Sequence, residues 1–341
     1  MACADPLGHV GHVREIAAED GRLPDEMLRA DTPYIVRGLA TDWPLVQAGR
    51  AGAAAADAYL RRFYRDATVN AMLGPPDIGG RFFYNDTITG FNFHNARARL
   101  ADVLDELALQ RDRPDPGAIY VGSASVDAAL PGLRAENDID LGARDALASI
   151  WIGNRTVVAT HYDLPDNLAV VAVGERRFTL FPPDQLHNLY VGPLDFNPAG
   201  QAISLVDVRN PDLARYPRYA DALAHAQVAE LGPGDALFIP SMWWHHVEAL
   251  SAFNVLVNYW WRQSPDYMDT PTNALMLALL TMRELPPAQR RAWQEIFRHY
   301  IFEPDEASLA HLPDNARYAL APLDDDGARV LRGQLLRRIN R

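Results

Sequence analysis

The residues with the clearest chemical potential are His161 and Asp163, which flank Tyr162, and a second histidine far downstream, His245, within Trp243-Trp244-His245-His246. Two imidazoles and one carboxylate can take one face of a metal ion and leave the opposite positions open. On non-haem iron(II) those open positions admit a co-substrate and O2, which is what oxygen chemistry requires. Positions 161 and 163 are two apart, so on a strand both side chains emerge on the same face. The third ligand must then come from a strand distant in sequence and close in space, as in a barrel. His245 and His246 are adjacent and point opposite ways. The face of His245 carries Trp243, Val247 and Ala249 and is the more apolar, which favours His245 as the interior ligand. His246, near Glu248, suits a supporting or surface role.

The elements that must position these residues are strands. Residues 118–265 hold short apolar runs at 118–121, 149–152, 168–173, 178–181, 236–239, 245–250 and 254–261, mostly bounded by Gly, Pro, Asp or Asn. That spacing predicts a β-barrel or sandwich. Upstream, residues 1–117 form a flanking region of helix and strand. Helix and loop are expected over 13–31, a short buried strand over 32–39, a helix over 47–64 and strands over 68–72 and 81–84. Leu100, Val103, Leu104 and Leu107 share one face of a further helix. After Pro265 the period becomes helical, with Leu275, Leu277, Leu279, Leu280 and Met282 in one segment and a second helix over 287–302. Residues 266–341 are therefore read as a helical segment that packs either on the barrel or against a second subunit. Trp243, Trp244, Trp260 and Trp261 are expected in the core, and His94, His187 and His225 at the surface.

Composition excludes several classes of function. The chain has 341 residues, 48% hydrophobic and 22% charged, an ordinary globular balance. No apolar run is long enough for a membrane span. With 32 basic against 44 acidic residues the net charge is −12, so a nucleic-acid partner is not expected. The start of the chain lacks the basic and apolar regions of a secretory signal, which makes a cytoplasmic location the expectation. A single cysteine, Cys3, excludes an internal disulfide framework and a cysteine-based zinc site. Every basic residue is arginine. No Schiff-base lysine exists, and an anionic ligand must be held by a guanidinium, which binds carboxylates bidentately.

One ordered set of motifs ties these observations together. His161-Tyr162-Asp163 is followed by Asn167, Phe181-Pro182-Pro183-Asp184-Gln185, Gly232-Pro233-Gly234-Asp235, Phe238-Ile239-Pro240, Trp243-Trp244-His245-His246 and Asn258-Tyr259-Trp260. The order resembles the cupin-like JmjC oxygenases, most nearly the asparaginyl hydroxylases that modify hypoxia-inducible factor. The resemblance is dense over 118–262, with 33–44 similar to the family's N-terminal strand and the helices after 266 similar to its dimerising C-terminus. It implies a mainly β fold with flanking helices, built on a double-stranded β-helix (jelly-roll) barrel. It implies Fe(II) held by His161, Asp163 and His245, with 2-oxoglutarate as co-substrate. The far carboxylate of the co-substrate would meet Arg176, with Arg177 as the fallback, and Tyr120. Asn167 and Asn258 match polar residues near the co-substrate. Val158 stands where the family has a threonine, and Thr160 has the wrong parity to replace it. The implied activity is hydroxylation of a side chain in a peptide or protein, with succinate and CO2 released and a homodimer formed through the C-terminal helices. The same chemistry on a small molecule, lysine demethylation, and a non-oxygenase metal-binding cupin are the alternatives.

Overall fold

The structure is a computed structural model that describes residues 8, 10–18, 23–198 and 200–340; Cys3 lies outside the described residues. In chain order, strands β1 (Gly11–His12), β2 (Arg14–Ile16) and β3 (Tyr34–Val36) precede helices α1 (Pro44–Ala51) and α2 (Ala53–Arg61). The helix and loop expected over 13–31 are instead β2 and a short 3-10 turn, Met27–Arg29. β2 is recruited by parallel pairing to β3, a partner that local periodicity cannot reveal. The single helix expected over 47–64 is broken at Gly52, whose φ of 127° is open to glycine and strained for other residues. Then come β4 (Thr68–Gly74), β5 (Arg81–Phe82), β6 (His94–Arg99) and α3 (Leu100–Gln110), which buries Leu100, Val103, Leu104 and Leu107 as its spacing requires.

From here strands dominate: β7 (Ala118–Ser125), a short helix α4 (Val126–Ala129), β8 (Leu147–Gly153), β9 (Val157–His161), β10 (Asp166–Val173) and β11 (Arg176–Phe181). Helix α5 (Tyr219–Ala224) interrupts before β12 (Gln227–Leu231), β13 (Ala236–Ile239), β14 (Trp244–Ala249) and β15 (Asn254–Trp261). The six-stranded sheet runs β1-β12-β11-β14-β9-β5 and the nine-stranded sheet β2-β3-β13-β10-β15-β8-β7-β4-β6. Within them β8 to β15 form two antiparallel sets, β12-β11-β14-β9 and β13-β10-β15-β8, between which the chain repeatedly crosses. This is a double-stranded β-helix, the jelly-roll topology. The N-terminal strands extend both edges of the larger sheet.

Alternation decides what each face touches. Ala169 and Val171 of β10, Phe178 and Leu180 of β11, Val247 of β14 and Leu256 of β15 pack together between the sheets. The opposite faces of β10 and β15, with Leu168, Val170, Val255, Val257 and Tyr259, are buried under α1–α3. All eight residues of β10 are therefore buried. Each such Val or Leu contributes roughly 1.5–3 kcal/mol of burial free energy. The outer face of the smaller sheet, at Phe181 and Trp244, is covered by Leu189, Val206, Val208 and Tyr219 from the segment between β11 and β12.

The chain divides into two compact units, Met1–Gln263 and Ser264–Arg341. The second contains α6 (Pro271–Thr281), α7 (Pro287–Phe297) and α8 (Asp325–Ile339). The helix expected to run to 302 ends earlier, in a π-helical turn over Arg298–Phe302. Among the described residues no helix is long and apolar enough to cross a membrane.

Candidate metal centre

β9 and β14 pair antiparallel with His161 opposite His245. Their ring centroids are 4.3 Å apart. The Nε2 atom of His245 lies 3.6 Å from Oδ2 of Asp163. One ligand atom from each of His161, Asp163 and His245 falls within 4.8 Å of the others, a spacing that could hold a metal ion. Each histidine is oriented by its own strand. Nδ1 of His161 contacts the Ala159 carbonyl at 2.9 Å, and Nδ1 of His245 contacts the Trp243 carbonyl at 3.0 Å. A carbonyl only accepts, so both Nδ1 atoms carry the proton and both Nε2 lone pairs are free for a metal. Burial, with His161 alongside, pushes the His245 pKa down to about 4 despite Asp163, so the ring is neutral at physiological pH.

Asp163 reaches the site by a route that strand parity does not describe. β9 ends at His161, and the chain leaves the smaller sheet to enter β10 of the larger one at Asp166. The expectation that 161 and 163 emerge on one face of a single strand thus does not describe the site, since the strand ends at His161. Asn167 nevertheless donates from Nδ2 to Asp163 Oδ2 at 3.3 Å, because the two sheets face each other there. Behind it, Nδ2 of Asn258 donates to Asn167 Oδ1 at 3.1 Å, and the Trp151 indole N–H donates to Asn258 Oδ1 at 2.7 Å. The direction of this chain is fixed from both ends: the indole can only donate and the carboxylate can only accept. Both amides must therefore point their N–H groups toward Asp163.

The three residues open into a cavity of ≈730 Å3 whose lining includes Tyr120, Trp151, Asn167, Arg176, Asn258 and Trp260. Arg176 begins β11 on the inward face, in step with Phe178 and Leu180. It is 3% exposed, and its Nε and Nη2 have no hydrogen-bond partner. Burial lowers its pKa and raises that of Tyr120; the hydrogen bond between the two opposes both shifts. Arg177, the fallback, points outward and pairs with Glu230 at 2.9 Å. The structure therefore brings His161, Asp163, His245, Tyr120, Asn167, Arg176 and Asn258 to one cavity.

Val158 lines that cavity, whereas Thr160 is fully buried away from it with its hydroxyl unpartnered. His246 is not at the surface: it is 1% exposed, on the covered outer face of β14, with Nε2 4.0 Å from Glu248. Of the tryptophans expected in the core, Trp243, Trp244 and Trp261 are there, while Trp260 lines the cavity. His94, His187 and His225 are exposed as expected. Sequence reasoning missed Trp151, read only as part of an apolar strand. Its signal was parity, since it alternates with Ile150 and Ile152, which face the outer core.

Comparison with known proteins adds an independent line. The sequence profile of the family described as Cupin-like domain matches residues 21–267. HSPB1-associated protein 1 of Homo sapiens is 33% identical over 152 residues, 43% of this chain and 30% of that protein. The lysine-specific demethylase JMJ31 of Arabidopsis thaliana is 36% identical over 117 residues, 33% of this chain and 21% of that protein. The tRNA wybutosine-synthesizing protein 5 of Homo sapiens is 36% identical over 146 residues, 38% of this chain and 43% of that protein. The chain thus spans less than half the length of each of these relatives.

Proposed function

The chain belongs to the cupin-like domain family, and from that premise we propose that it is an Fe(II)- and 2-oxoglutarate-dependent dioxygenase acting on a side chain of a peptide or protein. The observation that carries this reading is Arg176, buried in the same cavity as His161, Asp163 and His245 with Nε and Nη2 of its guanidinium left without a hydrogen-bond partner. A buried cation with two unsatisfied donors is costly, and a bound dicarboxylate would satisfy them. Iron, when bound with 2-oxoglutarate, supplies O2 activation: one oxygen atom enters a substrate C–H bond, the other enters succinate, and CO2 is lost.

The residues of this chain have separate tasks in that reading. His161, Asp163 and His245 hold the metal. Arg176 and Tyr120 hold the distal carboxylate. Trp151, Asn258 and Asn167 hold one oxygen of Asp163, leaving the other for the ion. Phe82, Trp151, Phe178 and Trp260 restrict water around the reacting centre. The motif order supports the asparaginyl-hydroxylase type within this class. A homodimer formed through residues 272–302, Fe(II) and O2 as requirements, and a cytoplasmic location belong to the same proposal. The test is incubation with Fe(II), 2-oxoglutarate and O2: succinate should form, and its absence in metal-loaded protein would reject the assignment.

A further inference from the structure

Beside the metal cavity lies a second one of ≈430 Å3, and the two share Asn70, Gly122 and Ser123. Its walls come from a split in the nine-stranded sheet. β4 and β7 pair from Gly74–Ala118 to Ala71–Val121 and no further, although β4 begins at Thr68 and β7 runs on to Ser125. The cause lies in β7. Its register against β8 shifts between Val121 and Ala124, and Ser123 has a φ of 49°. A bulge bends its strand and ends local pairing, and a non-glycine residue held at positive φ is a strain that structures keep at functional sites. From Thr68 to Asn70, β4 pairs on its other side only, with Arg97–Arg99 of β6.

The split is lined by side chains too small to fill it: Ala67, Gly122, Ala124, Ala128 and Ala129. Arg97 is the one charged residue among those that line it. Two strand edges that part without a third strand between them offer backbone donors and acceptors to an extended chain, a mode in which main-chain pairing supplies affinity. A polyanion would meet one cation there, in a protein of net charge −12. A free amino acid would be accommodated by the metal cavity alone. We propose that the split between β4 and β7 is a subsite for an extended peptide segment with small, uncharged side chains, flanking the residue delivered to the metal. The proposal rests on the oxygenase reading above and adds to it the place where a segment flanking the oxidised residue binds.

The experiment uses the full chain with Fe(II), 2-oxoglutarate and O2, and a synthetic library of uncharged decapeptides against the same residues as free amino acids. Succinate reports the oxygenase chemistry, and mass spectrometry reports an added oxygen atom on the peptide. Peptides should gain oxygen and free amino acids should not. Ala128→Trp, a change at an exposed position of α4, should lower peptide oxidation about tenfold or more while substrate-free succinate formation stays within about twofold. Oxidation of free amino acids as readily as peptides would overturn the subsite and leave the oxygenase reading intact. So would unchanged peptide oxidation in Ala128→Trp, or a wild-type enzyme that forms succinate and oxidises no peptide. A wild type that forms no succinate overturns both.

Discussion

Replacing Arg176 by methionine separates a ligand socket from a structural arginine, because the two roles predict opposite effects on the ligand-free protein. Nε and Nη2 of Arg176 are buried without partners, and the side chain is 3% exposed. An unsatisfied buried donor costs about 1–3 kcal/mol, while the Tyr120 hydrogen bond lost on substitution contributes about 1 kcal/mol. Arg176→Met should therefore leave the apoprotein unchanged or stabilise it by up to roughly 2 kcal/mol. Affinity for 2-oxoglutarate should move the other way. Truncating one side of a buried charged pair costs about 2–5 kcal/mol, roughly a 30- to several-thousand-fold rise in Kd. Urea unfolding of the apoprotein gives the first quantity, and tryptophan fluorescence titration with 2-oxoglutarate under anaerobic Fe(II) gives the second. An apoprotein destabilised by more than about 2 kcal/mol with co-substrate affinity changed less than threefold would refute the reasoning and make Arg176 a structural residue.

Further outcomes follow from the same geometry. His161→Ala or Asp163→Ala should abolish metal-dependent succinate formation with the circular dichroism spectrum retained; persistent turnover in His161→Ala would reject the ligand assignment. Trp151→Phe keeps the ring and removes the N–H that orients Asn258 and Asn167, and should weaken Co(II) affinity about tenfold by spectroscopic titration, as loss of groups behind a metal ligand commonly does. Below pH 6.5 the apoprotein should lose stability. His245 and His246 have pKa values pushed down by burial to about 4 and about 3, so the unfolded chain takes up protons that the fold refuses. That penalty is absent above pH 6.5 and grows as pH falls, by about 1.4 kcal/mol per unit for each histidine, until the folded pKa values are reached. A melting temperature that is flat from pH 7 to pH 5 would contradict it. Leu279→Arg, in the apolar stripe of α6 formed by Leu275 with Leu279 and Met276 with Leu280, should convert a dimer to a monomer in light scattering, since a two-fold interface meets each change twice. A wild-type monomer at micromolar concentration would overturn the dimer proposal.

Much of this architecture is local and therefore legible along the chain. Alternation places His245, Val247 and Ala249 on one face of β14 and His246 on the other, and the helical spacing of Leu100, Val103, Leu104 and Leu107 specifies the buried face of α3. The lysine-free composition left only arginine for an anion, and Arg176 has the inward parity of Phe178 and Leu180. What the sequence could not determine depends on partners distant along the chain. Asp163 and Asn167 meet because the chain crosses between two sheets that face one another. Trp151 became the anchor of the hydrogen-bond chain only once β8 lay beside β15, which brings its indole to Asn258 from 107 residues away. The split beside β7 exists because the register against β8 slips after Val121 while pairing with β4 stops there. Side-chain period is a property of one strand, whereas register, bulges and the facing of sheets are settled by how all the strands pack at once.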